Sequence, residues 1–492
     1  MAEQIEQGGT GLFSRGRALA LLATTQFVLI LDIAIVTVAL PSIGTDLDFA
    51  TADLSWVINA YALLFGGFLL LGGRMADLVG RRRMFMAGLI LFTAASLAGA
   101  LAQSALWLVI ARGAQGLGAA LVSPAALSLV MSLFPEGSER NKALGIWGAV
   151  AGSGGAAGAI LGGVLTAVFA WEAVLYVNIP VGIAAVALAP RLLPEGRDVV
   201  GIRSFDMAGA ISVTAGLGLL IYAVVDADSA GWASTQTLVL GAISLALIAA
   251  FVVIEGRAER PLLPLSTFRN AMLRSANIGA VLTTMALFPM WFLLTLYTQQ
   301  ALGYTPIEAG LAQLPIALLI VLAAGPSQQL VTRIGPRIPM AVGLLMVAGG
   351  LLWFSQVSPG GTFLADILGP SVLAGVGAAL AFIAGTIAAT TGATEDHSGL
   401  ASGLLNTSQQ VGGAIGVAAI AAIATARTEN VIAAGERLPA IALTEGYRTG
   451  YLVAAAVALL GAIVVAALLP RRTEEPASAR VEPEAQPAAL AT

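Results

Sequence analysis

The sequence has no cysteine, one histidine and one lysine, and only 11% of its residues are charged. Without Cys there is no disulfide framework, no Cys-based metal site and no thiol chemistry. His397 stands alone in the polar stretch "TEDHSG", which excludes a His-rich metal site and reads as a loop histidine. Lys142 lies in "RNKALG" and cannot complete a P-loop, which needs Gly-Lys-Ser/Thr to hold phosphates. ATP hydrolysis through such a loop is excluded, and no cofactor is expected. A soluble chain carries about a quarter charged residues; this one falls far short.

What fills the chain instead is hydrocarbon, with 58% of its residues hydrophobic. Apolar runs recur from Ala18 to Leu469, each long enough at roughly twenty residues to cross about 30 Å as a helix. Fourteen helices are expected, near 18–40, 54–73, 84–103, 106–132, 142–168, 174–192, 206–225, 235–255, 274–297, 307–331, 338–356, 366–391, 400–425 and 447–469. The first is read as a retained helix, because no cleavage site follows it. The chain is an all-α polytopic membrane protein.

An even count puts both termini on one side. With both in the cytoplasm, all but Arg112, Arg427, Arg437 and Arg448 of the 24 Lys and Arg fall in cytoplasmic segments. The opposite orientation reverses the positive-inside bias, so N-in, C-in is expected. Arg112 lies within a span, and the other three sit near an expected outer loop at 426–446.

The loop after helix 2, "GGRMADLVGRRRM" (72–84), is echoed after helix 10 by "QQLVTRIGPRIPM" (328–340). Aligning Gly80 with Gly335 sets Arg82 over Arg337 and Asp77 over Thr332. A basic Gly turn between corresponding helices points to two related six-helix halves. The expected division is a cytoplasmic segment 1–17, a first half 18–192, an extra hairpin 206–255, a second half 274–469 and a disordered cytoplasmic tail 470–492.

These residues resemble the major facilitator superfamily, and within it the fourteen-helix drug:proton antiporter branch, over about residues 15–470. "GGRMADLVGRRR" is similar to the signature loop between helices 2 and 3, with Gly73, Asp77, Gly80, Arg81 and Arg82 matching. "LDIAIVTVALP" resembles the helix 1 signature through Asp32 and Pro41. "ARGAQGLGAA" resembles that of helix 4 through Arg112, Gln115 and Gly116, and "NTSQQVGGAIG" that of helix 13. "GAAGAILGG" resembles the antiporter signature of helix 5, although Ala159 stands where that signature has proline. Before helix 6, Glu172 and Ala173 replace the usual basic and aromatic pair after Trp171. The resemblance implies the major facilitator fold, with both six-helix halves and the two-helix insertion.

At 1.5 Å per residue, Asp32 lies roughly 12 Å and Arg112 roughly 9 Å from the same membrane face. If helices 1 and 4 are neighbours, as the resemblance implies, the two charges can meet. Each alone costs about 2.5–3.5 kcal/mol to insert. The residues leave two readings open: a structural ion pair, or a proton-binding carboxylate whose charged form Arg112 favours and burial opposes. The resemblance implies that Gly73, Asp77, Gly80, Arg81 and Arg82 latch the halves together. It also implies that the small-residue face of helix 5, Gly154, Gly158, Gly162 and Gly163, serves antiport as well as close packing.

For the substrate surface the candidates are Asn59, Tyr61, Gln115, Trp291, Gln313, Asn406 and Gln409; each can equally be a packing or lipid-facing residue. The expected function is proton-driven export of lipophilic drugs or antibiotics, cations among them, from a bacterial cytoplasm across the inner membrane. The expected partners are the small substrate, protons and the bilayer, without nucleic acid, around a monomeric chain. Export of one endogenous metabolite, lipid or siderophore is the alternative on the same fold. A membrane enzyme lacks a nucleophile or metal cluster here, and the glycine-rich helix 5 speaks against an uptake symporter.

Overall fold

The computed structural model describes residues 2–470 apart from 50–53, 55, 195–205, 232, 259–260, 262, 264 and 392–397. His397, Arg197, Arg203, Arg260 and the tail from 471 onward lie outside the described residues. Those described form sixteen α-helices joined by short turns, with no β-strand among them. They are α1 (Ala2–Asp46), α2 (Trp56–Val79), α3 (Arg81–Ala100), α4 (Ala105–Leu133), α5 (Ser138–Val168), α6 (Ala173–Tyr176), α7 (Asn178–Leu192) and α8 (Met207–Ala230). After these come α9 (Thr235–Glu255), α10 (Ala271–Leu296), α11 (Pro306–Ala312), α12 (Leu314–Ile334), α13 (Arg337–Phe354), α14 (Gly369–Thr390), α15 (Ser398–Ala433) and α16 (Pro439–Leu468).

All fourteen expected segments carry helix, but among the described residues twelve helices qualify as membrane spans by length and composition, or thirteen with the bent α5 counted whole. The apolar part of α8, Ala208–Val224, is shorter than the others. Three expected helices are interrupted, and proline gives the reason. Pro180 has no N–H for the carbonyl four residues back, and α6 gives way to α7 at Val177. Pro315 stands where α11 gives way to α12 at Gln313. Pro370 follows the π-turn Phe363–Leu368 that leads into α14.

The expected outer loop 426–446 is mostly helix, since α15 runs to Ala433 and α16 starts at Pro439. Hydropathy marks where hydrocarbon ends, whereas Arg, Glu and Thr can continue a helix into water. Arg448 donates to Glu445 at 2.7 Å and to the Val357 carbonyl at 2.8 Å, and Arg427 lies 3.8 Å from Glu445. Glu308 closes a capping box with Thr305 at the start of α11.

The echo between the loops has a structural counterpart. Gly80 and Gly335 both take positive φ, 113° and 80°, at the turns into α3 and α13; such a backbone strains any residue with a Cβ. Arg82 donates to the carbonyls of Leu193 and Pro190 at the end of α7. Arg337 donates to that of Ala466 near the end of α16. Each arginine therefore satisfies terminal carbonyls of the last helix in its own group.

Close crossings depend on missing side chains. A Cβ on Gly88 would lie 2.8 Å from the Gly118 carbonyl, and one on Gly343 2.7 Å from that of Gly377, where α3 meets α4 and α13 meets α14. The α8–α9 hairpin packs on α2 through Gly67 and Gly218, with Trp56 stacked on Tyr222 at 5.6 Å.

Candidate functional site

Asp32 is completely buried on α1, and so is Arg112 on α4. Their ion pair closes at 2.5 Å between Oδ2 and Nη1. The geometry thus joins two charges whose sequence depths matched. Arg112 also donates through Nε to the Val57 carbonyl at 3.0 Å and through Nη1 to Gln115 Oε1 at 2.8 Å. Its guanidinium lies over the Tyr61 ring, 4.6 Å from the centroid, a cation–π arrangement strengthened where water is excluded. Tyr61 in turn donates to the Leu29 carbonyl at 3.3 Å, tying α2 back to α1. Gly116 lets the Tyr61 backbone close onto α4.

The other carboxylate oxygen, Asp32 Oδ1, accepts from Asn178 Nδ2 at 2.6 Å and Gln115 Nε2 at 3.3 Å. Gln115 Nε2 also donates to Ser96 on α3 at 2.7 Å, and Asn178 Nδ2 reaches the same hydroxyl at 3.4 Å. Five helices meet here. Two atoms of these side chains are buried without a hydrogen-bond partner among the described residues, Arg112 Nη2 and Asn178 Oδ1. Asn178 and Ser96 were missed from sequence, although an amide in the apolar run "YVNIPVGIAAV" is the same kind of signal as Asp32.

The glycine face of α5 holds α1 in register beside this site. A Cβ on Gly154 would lie 2.7 Å from Ile30 Cγ2, and one on Gly158 2.7 Å from Ala34 Cβ and 2.8 Å from the Leu31 carbonyl. One on Gly162 would lie 2.7 Å from the Ile35 carbonyl. These contacts bracket Asp32. Gly163 turns elsewhere, toward Ile307 of α11.

A second constellation lies where α2 ends and α15 begins. Asp77 accepts from the N–H groups of Gly399 and Leu400, both at 3.0 Å, and Arg81 Nε stands 3.9 Å from it. A carboxylate at a helix N-terminus meets unpaired donors and the positive end of the helix dipole. Gly73 faces Gly399 and Gly403 so closely that a Cβ would lie 3.1 Å from Gly403 Cα. At the corresponding end of α5 and α12, Asn141 donates to Thr332 at 3.0 Å, and Gly145 packs against Gln328.

The model of the Major Facilitator Superfamily matches residues 22–417. The chain belongs to the major facilitator superfamily. It is 41% identical over 407 residues to a cephamycin export protein of Amycolatopsis lactamdurans, covering 82% of this chain and 84% of that one. A puromycin resistance protein of Streptomyces alboniger is 36% identical over 475 residues, 94% of each chain. Among solved structures, the human organic anion transporter TETRAN superposes with a TM-score of 0.66 at 14% identity, covering 92% of this chain and 99% of that one. A proton:xylose symporter gives 0.63 at 13% identity, covering 94% and 96%. Both likenesses concern the fold alone. This facilitator is a multi-pass membrane transporter and not an enzyme.

The expected substrate residues of this facilitator separate. Tyr61 and Gln115 belong to the Asp32 site. Gln313 is buried and donates to Thr295 at 3.0 Å, and Asn406 donates within its own helix to the Ser402 carbonyl. Trp291 stands 6.1 Å from Phe288 in a tilted pair, while Asn59 and Gln409 are half-buried. Asn277 on α10 accepts from Ser408 on α15 at 2.9 Å, a pairing the sequence did not suggest.

Proposed function

We propose that this protein is a proton-coupled exporter of lipophilic small molecules, antibiotics and cationic drugs among them, working by alternating access in a bacterial inner membrane. The single observation that carries the reading is the fully buried Asp32–Arg112 ion pair. An ionisable residue inside a membrane span is expensive and marks an ion or substrate pathway. Arg112 favours the charged carboxylate and burial the protonated one, so a rearrangement that alters either changes proton affinity. Asp32 would load its proton from outside and release it inside, with substrate and proton competing for one conformation. Cephamycin export in the name of one relative and puromycin resistance in that of another support the cargo class.

The proposal includes fourteen spans with both termini in the cytoplasm, as two six-helix halves, 18–192 and 274–469, and the hairpin 206–255. The matching roles of Arg82 and Arg337 support the division. Asp77 and its glycine and arginine neighbours would then latch the cytoplasmic ends when the outer side is open. No cofactor enters; the proton gradient drives transport, and the protein acts as a monomer.

The test is transport of puromycin and ethidium into everted vesicles, with external pH recorded alongside. Asp32→Asn is expected to abolish uphill export while leaving the protein assembled. Uphill export by that variant would sink Asp32 as the coupling site. A dedicated exporter is the second reading, favoured by a relative named for cephamycin alone; transport of one compound from a broad panel would select it.

A further inference from the structure

Asn178 stands at the start of α7 with none of its surface exposed. Its Nδ2 makes the short 2.6 Å contact to Asp32 Oδ1, and its Oδ1 is buried without a partner. We propose that Asn178 is the positioning residue that reads the protonation state of Asp32, donating to the carboxylate and accepting from the carboxylic acid. The inference rests on the reading of Asp32 as the proton site.

The reason lies in what each group can offer. A carboxylate only accepts hydrogen bonds, whereas its protonated form must also place one O–H. That proton needs an acceptor inside a site without exposed surface. Both ends of the Gln115 amide are engaged, Oε1 by Arg112 at 2.8 Å and Nε2 by Ser96 at 2.7 Å. Reversing that amide would set its NH2 against the Arg112 guanidinium, which can only donate. Reversing Asn178 gives up only its donation to Asp32 and the long 3.4 Å contact to Ser96. It then presents an oxygen where the nitrogen had been. An orphaned buried oxygen is costly to keep, and here it has a use in the other protonation state.

The charged surroundings are simple enough for Asp32 to be read cleanly. From α4 the only ionisable residue is Arg112, and from α2 Tyr61 faces the pair while Arg74 and Asp77 stand at the far end. The α5 segment from Ala143 to Val168 carries no ionisable residue, α7 none before Arg191, and α3 only its first three arginines. Glu172 stands at the N-cap of the short α6 and Tyr176 ends it, just before Asn178, while Trp171 donates to Asp46, well along α1 from Asp32.

The experiment is an infrared pH titration of the full chain in lipid nanodiscs, following the protonated carboxyl band that Asp32→Asn removes. Asn178→Leu is expected to move its midpoint upward by about one pH unit, because the charge-assisted bond to the carboxylate that is lost is stronger than the neutral bond to the acid that is lost with it. Asn178→Gln, which keeps both amide ends, should stay near the parent value. If the leucine variant does not assemble, Asn178→Ala carries the same expectation. An assembled Leu or Ala variant with an unmoved or lowered midpoint overturns the inference while leaving Asp32 a proton site. If no band depends on Asp32 at any pH, the proton reading and this inference fall together. A merely structural amide would change yield or thermal stability without moving the midpoint.

Discussion

Asp77 and Gly399 are 322 residues apart in sequence, yet the Asp77 carboxylate accepts the Gly399 N–H at 3.0 Å. Leu400 donates to the second oxygen at the same distance. One side chain thus satisfies two of the donors that the start of α15 would leave unpaired.

The first prediction follows from that contact. The chain lacks cysteine, so Asn141→Cys with Thr332→Cys introduces its only two thiols, at a pair now 3.0 Å apart. Adding Asp77→Asn removes charge-assisted bonds worth about 1.5–3 kcal/mol each at most. The rate of disulfide formation is expected to fall about tenfold, which corresponds to about 1.4 kcal/mol. An unchanged rate would show that Asp77 does not hold this end closed.

Arg112 can be separated from Asp32 by stability. Arg112→Leu leaves a carboxylate buried without its cation, a defect of about 3–5 kcal/mol. Thermal unfolding in detergent should report a marked loss for Arg112→Leu alone. Combining it with Asp32→Asn should recover most of the loss. Arg112→Lys should not restore the parent, because one ammonium cannot reproduce separate contacts to Val57, Asp32 and Gln115.

The glycine face of α5 gives a paired comparison. Gly158→Ala brings a methyl group against Ala34 and the Leu31 backbone, and overpacking of this kind costs about 1–3 kcal/mol. Export should drop because α1 must shift beside Asp32. Gly155→Ala meets nothing within 4 Å and should export normally. Equal behaviour of the two in vesicle transport would deny the α5 face its positioning role.

Arg82→Ala and Arg337→Ala form another pair. Each frees terminal carbonyls of the last helix in its group, and each should lower stability by about 1 kcal/mol. A large loss at one arginine and none at the other, measured by denaturation in detergent, would break the correspondence.

The Asp32–Arg112 pairing was legible because charges are rare in these spans and depth follows from residue count. Asn178 and Ser96 were not legible for the opposite reason, since an amide and a hydroxyl scarcely disturb an apolar run. Hydropathy sets Arg427 and Arg448 at the two ends of an expected outer loop, because polarity marks the edge of hydrocarbon. Their helices continue past that edge, where Glu445 and the Val357 carbonyl receive them.

By itself, the sequence determined that this chain is a helical membrane protein with charge inside two of its spans and a recurring basic glycine turn. Those properties follow from hydrophobic length and from the cost of charge in hydrocarbon, which are local. Only the tertiary structure decided which polar groups meet. It selected Asn178 as a ligand of Asp32 and gave Asp77 the start of α15, while the expected substrate residues went to different surroundings. Such partnerships depend on how helices far apart in sequence cross, and the small residues that permit each crossing do not name the helix on the other side.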